Sequence, residues 1–239
     1  MSVAKTVTLT TLIPSGLPGP EHFSTVESTA PTADDLEEGG FLLKVFAMSA
    51  DPYLRGGCKT GEVPRPMAGF VAGKVMASKS DKWAEGDLLG ASLPFTDLQI
   101  VSAEAGAKTV MWKLNDHVTE ATISHGVGVL GMPGSTAYGG FLDVLRPKAG
   151  AAEAGSPETI WVSGAAGAVG SMVAQIAKNV HGCKVVGSCG GPAKVALCKE
   201  KFGMDEAIDY KLCPDVTTLK AALKEAAPDG IDVSDGQRC

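Results

Sequence analysis

Apolar positions along the chain change period near residue 130. Before that point the apolar residues come in short runs, Leu42-Leu-Lys-Val-Phe46, Val71-Ala-Gly-Lys-Val75, Asp87-Leu-Leu-Gly90 and Leu98-Gln-Ile-Val101, each bounded by Gly, Pro or Asp. That spacing predicts strands of a small barrel or sandwich. Ile123, Val127 and Leu130 then recur at i, i+4 and i+7, which predicts a helix stopped by Gly131-Met-Pro-Gly134. A second helix is predicted from about Ser135, burying Tyr138, Phe141, Leu142 and Leu145. Residues 149–158 are mostly small and are expected to form a mobile loop.

From Thr159 strands and helices alternate. Ile160 and Val162 give a strand, and Val169, Val173, Ile176, Ala177 and Val180 give a helix. A strand at Lys184–Gly187, a helix from about Ala193 to Phe202 and a strand at Ala207–Asp209 follow. Next come a helix with Val216, Leu219 and Leu223 on one face and a last strand beginning at Gly230-Ile-Asp-Val233. Such alternation predicts a parallel, doubly wound sheet. Only four of its strands can be counted, where a complete dinucleotide fold has six. The expected fold class is therefore α/β, a β-rich domain over residues 1–130 and an incomplete parallel sheet over 131–239.

The chemistry suggested by the second half is phosphate binding. Ser163-Gly-Ala-Ala-Gly-Ala-Val-Gly170 joins the first of these strands to its helix, in the form A-x-G-x-x-G with Ala165 at the place of the first glycine. A turn of this kind lets the backbone approach a pyrophosphate, and the helix N-terminus offers N–H groups and a positive dipole end. Taken alone it also fits a strand–helix turn that binds nothing. An NAD-specific site would place Asp or Glu near the end of the second strand, yet residues 182–199 contain neither and offer Gly191 and the cation of Lys194. The missing carboxylate favours NADP, although Lys194 also reads as an ordinary solvated helix lysine.

Composition narrows the partners. The 239 residues are 44% hydrophobic, with a formal net charge of -6 and a pI ≈ 5.2, which argues against a nucleic-acid partner. No apolar run reaches membrane-spanning length, and Met1–Thr8 lacks a signal-peptide core. Six scattered cysteines read as free thiols of a cytoplasmic protein. His22, His117, His125 and His181 have no acid–base partner visible in the sequence, and no residue stands out as a catalyst.

Five ordered stretches together resemble the zinc-independent medium-chain dehydrogenase/reductases, in the branch of the prostaglandin reductases, leukotriene B4 12-hydroxydehydrogenases and plant alkenal double-bond reductases. They are Gly16-Leu-Pro-Gly-Pro-Glu-His-Phe23, Asp51-Pro-Tyr-Leu-Arg-Gly56, Gly131-Met-Pro-Gly-Ser-Thr-Ala-Tyr138, Gly164–Ser171 with Gly182–Gly187, and Asp209-Tyr-Lys211. The resemblance implies a GroES-like domain followed by a Rossmann domain. It implies NADPH-dependent reduction of the C=C bond of α,β-unsaturated ketones and aldehydes, without metal. By position, Gly167, Ala168, Val169 and Gly170 would line the pyrophosphate, Lys194 and Tyr210 would hold the phosphorylated ribose, and Phe95 would touch the substrate. A homodimer is compatible with the full-length family.

Two departures qualify the resemblance. The stretch Gly150–Glu158 is longer than the family's turn, and after Val233 the chain reads Ser234-Asp-Gly-Gln-Arg-Cys239 instead of continuing the sheet and the nicotinamide-side loops. The expectation is that this form is a poor enzyme. A zinc alcohol dehydrogenase is disfavoured because Asp51-Pro-Tyr53 stands where a ligand cysteine belongs. A zinc-independent quinone oxidoreductase and a non-catalytic NADP-binding remnant stay open.

Overall fold

The short apolar runs of the first half pair as antiparallel strands. A computed structural model describes residues 2–148 and 157–235, so the longer part of the expected mobile loop and the last four residues lie outside the described residues. The chain divides after Met132 into two compact units.

In the first unit, strands β1 (Val3–Leu9), β2 (Phe23–Thr29) and β3 (Phe41–Met48) are followed by a one-turn helix α1 (Leu54–Gly57), β4 (Arg65–Pro66), β5 (Ala68–Ser78), β6 (Leu88–Pro94), β7 (Leu98–Val101), α2 (Ala103–Lys108) and β8 (Met111–Lys113). They form a three-stranded sheet in the order β2-β1-β4 and a five-stranded sheet in the order β7-β3-β5-β6-β8. Strands β1 and β2 are additions to the sequence reading, because their polar positions (Lys5, Thr6, Ser24, Thr25, Glu27) dilute the apolar signal. The core is built from Phe41, Leu43, Val45, Val71, Val75, Leu89 and Leu93, with Trp83 tilted over Phe41 at 6.2 Å between ring centres. Strand β3 bulges against β5 between Val45 and Ala47. Gly73 makes that bulge possible, since a β carbon there would collide with the carbonyl of Lys44.

The helix predicted around Ile123 is instead a 3-10 helix, Glu120–Val127, ended at Gly128. Its apolar residues still reach one cluster with Leu88, Leu114 and Val118, and Val127 and Leu130 pack on that cluster. A side chain at Gly126 would drive into Leu114, so the segment lies flat against the sheet through bare backbone.

In the second unit, α3 (Met132–Gly139) begins at the motif expected to stop a helix and runs into a π-helical turn, Gly140–Leu145. The buried face runs through Gly134, Ala137 and Phe141, which leaves Tyr138 62% exposed, contrary to the expectation that Tyr138 is buried. Then come β9 (Thr159–Ser163), α4 (Ala168–Asn179), β10 (Lys184–Cys189), α5 (Pro192–Glu200), β11 (Glu206–Asp209), α6 (Val216–Ala226) and β12 (Val233–Asp235). All four strands are parallel, in the order β11-β10-β9-β12. Strand β12 starts at Val233, later than the predicted Gly230, because Gly230 turns with a φ of 103°. Helix α4 buries Val173, Ala174 and Ala177 against the sheet. Asp205 clamps this layer: one oxygen accepts from Lys178 at 2.5 Å and the other from the backbone of Val185 at 2.7 Å.

Two outcomes follow from the packing. Leu43 has no exposed surface, so Leu43→Ala is expected to cost about 2–5 kcal/mol in urea unfolding. Cys58, Cys183, Cys189 and Cys198 are buried free thiols and Cys213 is half-buried. Desolvation, chiefly, pushes the Cys198 thiol up to about 12. Alkylation of the native protein followed by peptide mapping is expected to mark Cys213 well before Cys198.

Candidate functional site

The phosphate-binding turn is shaped by what its glycines leave out. Strand β9 ends at Ser163, and Gly164 turns the chain with a φ of 60°. Gly167 caps α4 with extended backbone and has no side chain to offer the helix N-terminus. A β carbon on Gly170 would stand 2.6 Å from the carbonyl oxygen of Gly164 and 3.0 Å from the Cα of Ala165. The first helical turn therefore rides directly on the strand end, and the N–H groups of a helix start face outward from a bare backbone. The departure from the glycine pattern has a local cause. Ala165 is fully buried, and its Cβ lies 2.9 Å from the place a β carbon would take on Gly187 of β10. The glycine missing from the turn is supplied by the neighbouring strand, a compensation that the sequence hints at only in Val186-Gly187.

Lys194 and Tyr210 come from different elements and meet the same turn. Gly191, with a φ of 99°, caps α5, and Lys194 donates its backbone N–H to the carbonyl of Gly191 at 3.1 Å. Tyr210 opens a 3-10 turn after β11 and is half exposed. Its hydroxyl lies 2.8 Å from the position of a β carbon on Gly190. The acid that stretch 182–199 lacks is provided next door by Asp209, whose Oδ1 accepts from the backbone of Gly191 at 2.9 Å and of Lys211 at 3.0 Å. Sequence reading finds no carboxylate here because Asp209 belongs to the adjacent strand, in register with Cys189. The cradle left by Gly164, Gly167 and Gly170 fits a pyrophosphate, and the Gly190–Gly191 turn beside it is flanked by the Tyr210 hydroxyl and leads into the first turn of α5, which carries Lys194.

Phe95 belongs to the first unit. It is 7% exposed and packs in the β core, and it also forms a wall of a cavity of ≈ 570 Å³ lined by Leu17, Pro18, Phe23, Leu54 and Met67, among others. Two of the stretches singled out in the sequence meet at this cavity. The Arg55 guanidinium donates from Nε and Nη2 to the carbonyl of Gly16, at 3.2 and 3.0 Å. Asp51 and Arg55 both line the cavity, and Asp51 Oδ2 and Arg55 Nη1 are buried atoms with no hydrogen-bond partner. Tyr53 is half exposed, edge-on to Phe70, and burial followed by the charge of Asp51 raises its phenol above the ordinary value. Among the described residues no group of three or more His, Cys, Asp or Glu could hold a metal. One histidine does have an acidic neighbour that the sequence reading did not find: His22 Nδ1 lies 3.1 Å from the Glu21 carboxylate, within a turn closed on Gly19. His181 packs edge-on to Phe141 at 5.0 Å between ring centres.

Two family descriptions match in order, the N-terminal domain of oxidoreductase over residues 5–110 and zinc-binding dehydrogenase over residues 168–234. The chain is 40% identical over 200 residues to a 2-alkenal reductase (NADP(+)-dependent) of Nicotiana tabacum, covering 80% of this chain and 53% of that protein. It is 40% identical over 198 residues to prostaglandin reductase 1 of Mus musculus, covering 82% and 55%. The chain thus spans about half the length of the curated relatives it matches. Among solved structures, CurA from Vibrio vulnificus in complex with NADPH superposes with a TM-score of 0.75 at 31% identity, covering 98% of this chain and 65% of that one. No helix among the described residues is long and apolar enough to cross a membrane. A GroES-like β unit leading into a Rossmann-type parallel sheet, with these relatives matching across both, makes the chain a member of the medium-chain dehydrogenase/reductase family, in the company of the 2-alkenal and prostaglandin reductases.

Proposed function

We propose that the protein reduces the C=C bond of α,β-unsaturated ketones or aldehydes with NADPH, residues 1–130 forming the substrate side and 131–239 the cofactor side. The observation that carries this reading is the bare helix start of α4, where Gly170 admits no β carbon against Gly164. The relatives named as NADP-dependent alkenal reductase and prostaglandin reductase support the reaction class.

Under this reading the backbone of Gly167, Ala168, Val169 and Gly170 lines the pyrophosphate, with α4 directing its positive dipole end at the negative charge. Lys194 supplies a point charge and Tyr210 a hydroxyl to the 2′-phosphate. NADPH, when bound, supplies the hydride. The chain's own task is to hold both partners in fixed geometry and to keep water away. Phe95 gives the enone an apolar wall, and the spare donor of Arg55 and spare acceptor of Asp51 can fix a polar end of the molecule. The substrate is a small molecule, with no part for nucleic acid, membrane or metal. Under this reading the protein works in the cytoplasm; a homodimer is carried over for the full-length family only and is no part of the proposal for this chain.

Three measurements test this. In fluorescence titrations Lys194→Ala is expected to weaken NADPH binding about tenfold or more and to change NADH by less than about twofold. Equal losses for both nucleotides would remove Lys194 from the phosphate site. The turnover of the 239-residue chain is expected to be slow; what it consumes of NADPH is expected with an alkenal and not with a quinone, and the reverse preference would replace the enone reading with a quinone reductase. Phe95→Ala is expected to raise KM for the alkenal while leaving the NADPH affinity unchanged; a loss of NADPH binding instead would show Phe95 to be structural.

A further inference from the structure

We propose that Lys211 is a specificity-determining contact for the 2′-phosphate of NADP, acting beside Lys194 and Tyr210. The proposal rests on the reading that this unit binds NADP.

Strands β10 and β11 are parallel neighbours with Cys189 opposite Asp209. The turns that follow them leave the sheet at the same edge, the carboxyl end, where open parallel sheets bind their ligands. Asp209 ties the two turns together, since its Oδ1 accepts from the backbone N–H of both Gly191 and Lys211. With the turns so joined, the side chain of Lys211 folds back over the first. A β carbon on Gly190 would lie 3.1 Å from Cε of Lys211 and 2.8 Å from the Tyr210 hydroxyl. The ammonium of Lys211 is one bond beyond that Cε, so cation and phenol flank the same glycine.

Charge decides why a second lysine is needed. Asp209 brings a carboxylate to the turn that has to accept a phosphate. Lys194 alone would only cancel it, and a phosphomonoester close to dianionic would gain little. With Lys211 the turn carries a net positive charge. Both lysines are available for this purpose: among the described residues neither takes part in an ion pair, whereas nearby Lys199 is held by Glu206 at 3.0 Å and Lys178 by Asp205. The peripheral oxygens of a phosphate can accept from two cations and a hydroxyl at once. Lys211 is thereby the residue that turns an acid-bearing turn, of the kind that suits a free ribose, into one that selects the phosphorylated ribose.

The test is calorimetric titration of the 239-residue chain and its variants with NADPH, NADH, adenosine 2′,5′-bisphosphate and AMP. Lys211→Met keeps the aliphatic stem over Gly190 and removes the charge. The backbone N–H that bonds Asp209 is present in every variant. Lys211→Met is expected to weaken NADPH and the bisphosphate about tenfold and to leave NADH and AMP within about twofold. Lys211→Arg is expected to restore most of the loss. Unchanged NADPH affinity in Lys211→Met, or a loss shared equally by the unphosphorylated nucleotides, overturns the assignment of Lys211 while leaving NADP as the cofactor. A parent chain that does not prefer NADPH to NADH overturns the cofactor reading itself, and the inference with it. Thermal melting of each variant separates a binding loss from unfolding; should Lys211→Met melt early, the comparison is made with Lys211→Gln, to which the same outcomes apply.

Discussion

The second unit depends on an approach that only a missing side chain allows. Helix α4 sits on the end of β9 because Gly170 has nothing to place against the carbonyl of Gly164. From that contact follow the outward N–H groups of the helix start, the burial of Val173, Ala174 and Ala177, and the line on which α4 meets β10. Alanine at 165 is tolerated because Gly187 opposes it. The familiar spacing of glycines in such turns is thus one solution to a packing constraint that this chain satisfies across two strands instead of within one loop.

Much of this architecture was legible in the sequence, for reasons that differ between its halves. In the second half, buried parallel strands such as Lys184–Cys189 are apolar on both faces and stand out as runs, and the glycine turn punctuates them. In the first half, β1 and β2 escaped notice because half-exposed antiparallel strands carry Lys, Thr, Ser and Glu on their solvent side. The period around Ile123 pointed to the right cluster but the wrong helix: Ile123, Val127 and Leu130 all reach it, yet Leu130 does so from the turn that follows the 3-10 helix rather than from a third helical position. Tyr138 was misplaced because the helix starts at Met132 rather than Ser135 and its buried face runs to Phe141 through Gly134 and Ala137, small residues that carry little apolar signal of their own.

The candidate site was legible in its parts but less so in its wiring. Gly167, Gly170 and Lys194 each follow from a local pattern, whereas Tyr210 comes only with the family resemblance. The roles of Gly187, Gly190 and Asp209 do not, because each is set by a partner about 18–22 residues away that becomes a neighbour only when the parallel strands align. The same holds for the cavity of the first unit. Arg55 and Gly16 are joined across 39 positions, and nothing in either stretch names the other.

That last bond shows how the cavity can change without losing its frame. Arg55 grips Gly16 through a main-chain carbonyl, a group that every residue possesses, while the φ of 75° at Gly16 ties the course of the loop to glycine. The neighbouring side chains, Leu17 and Pro18, contribute to the wall but not to the anchor. Exchange of those two side chains would recontour the chamber at little cost to the fold, so the loop works as an interchangeable face mounted on a fixed bracket, and the range of ligands can be changed while the surrounding sheet stays the same.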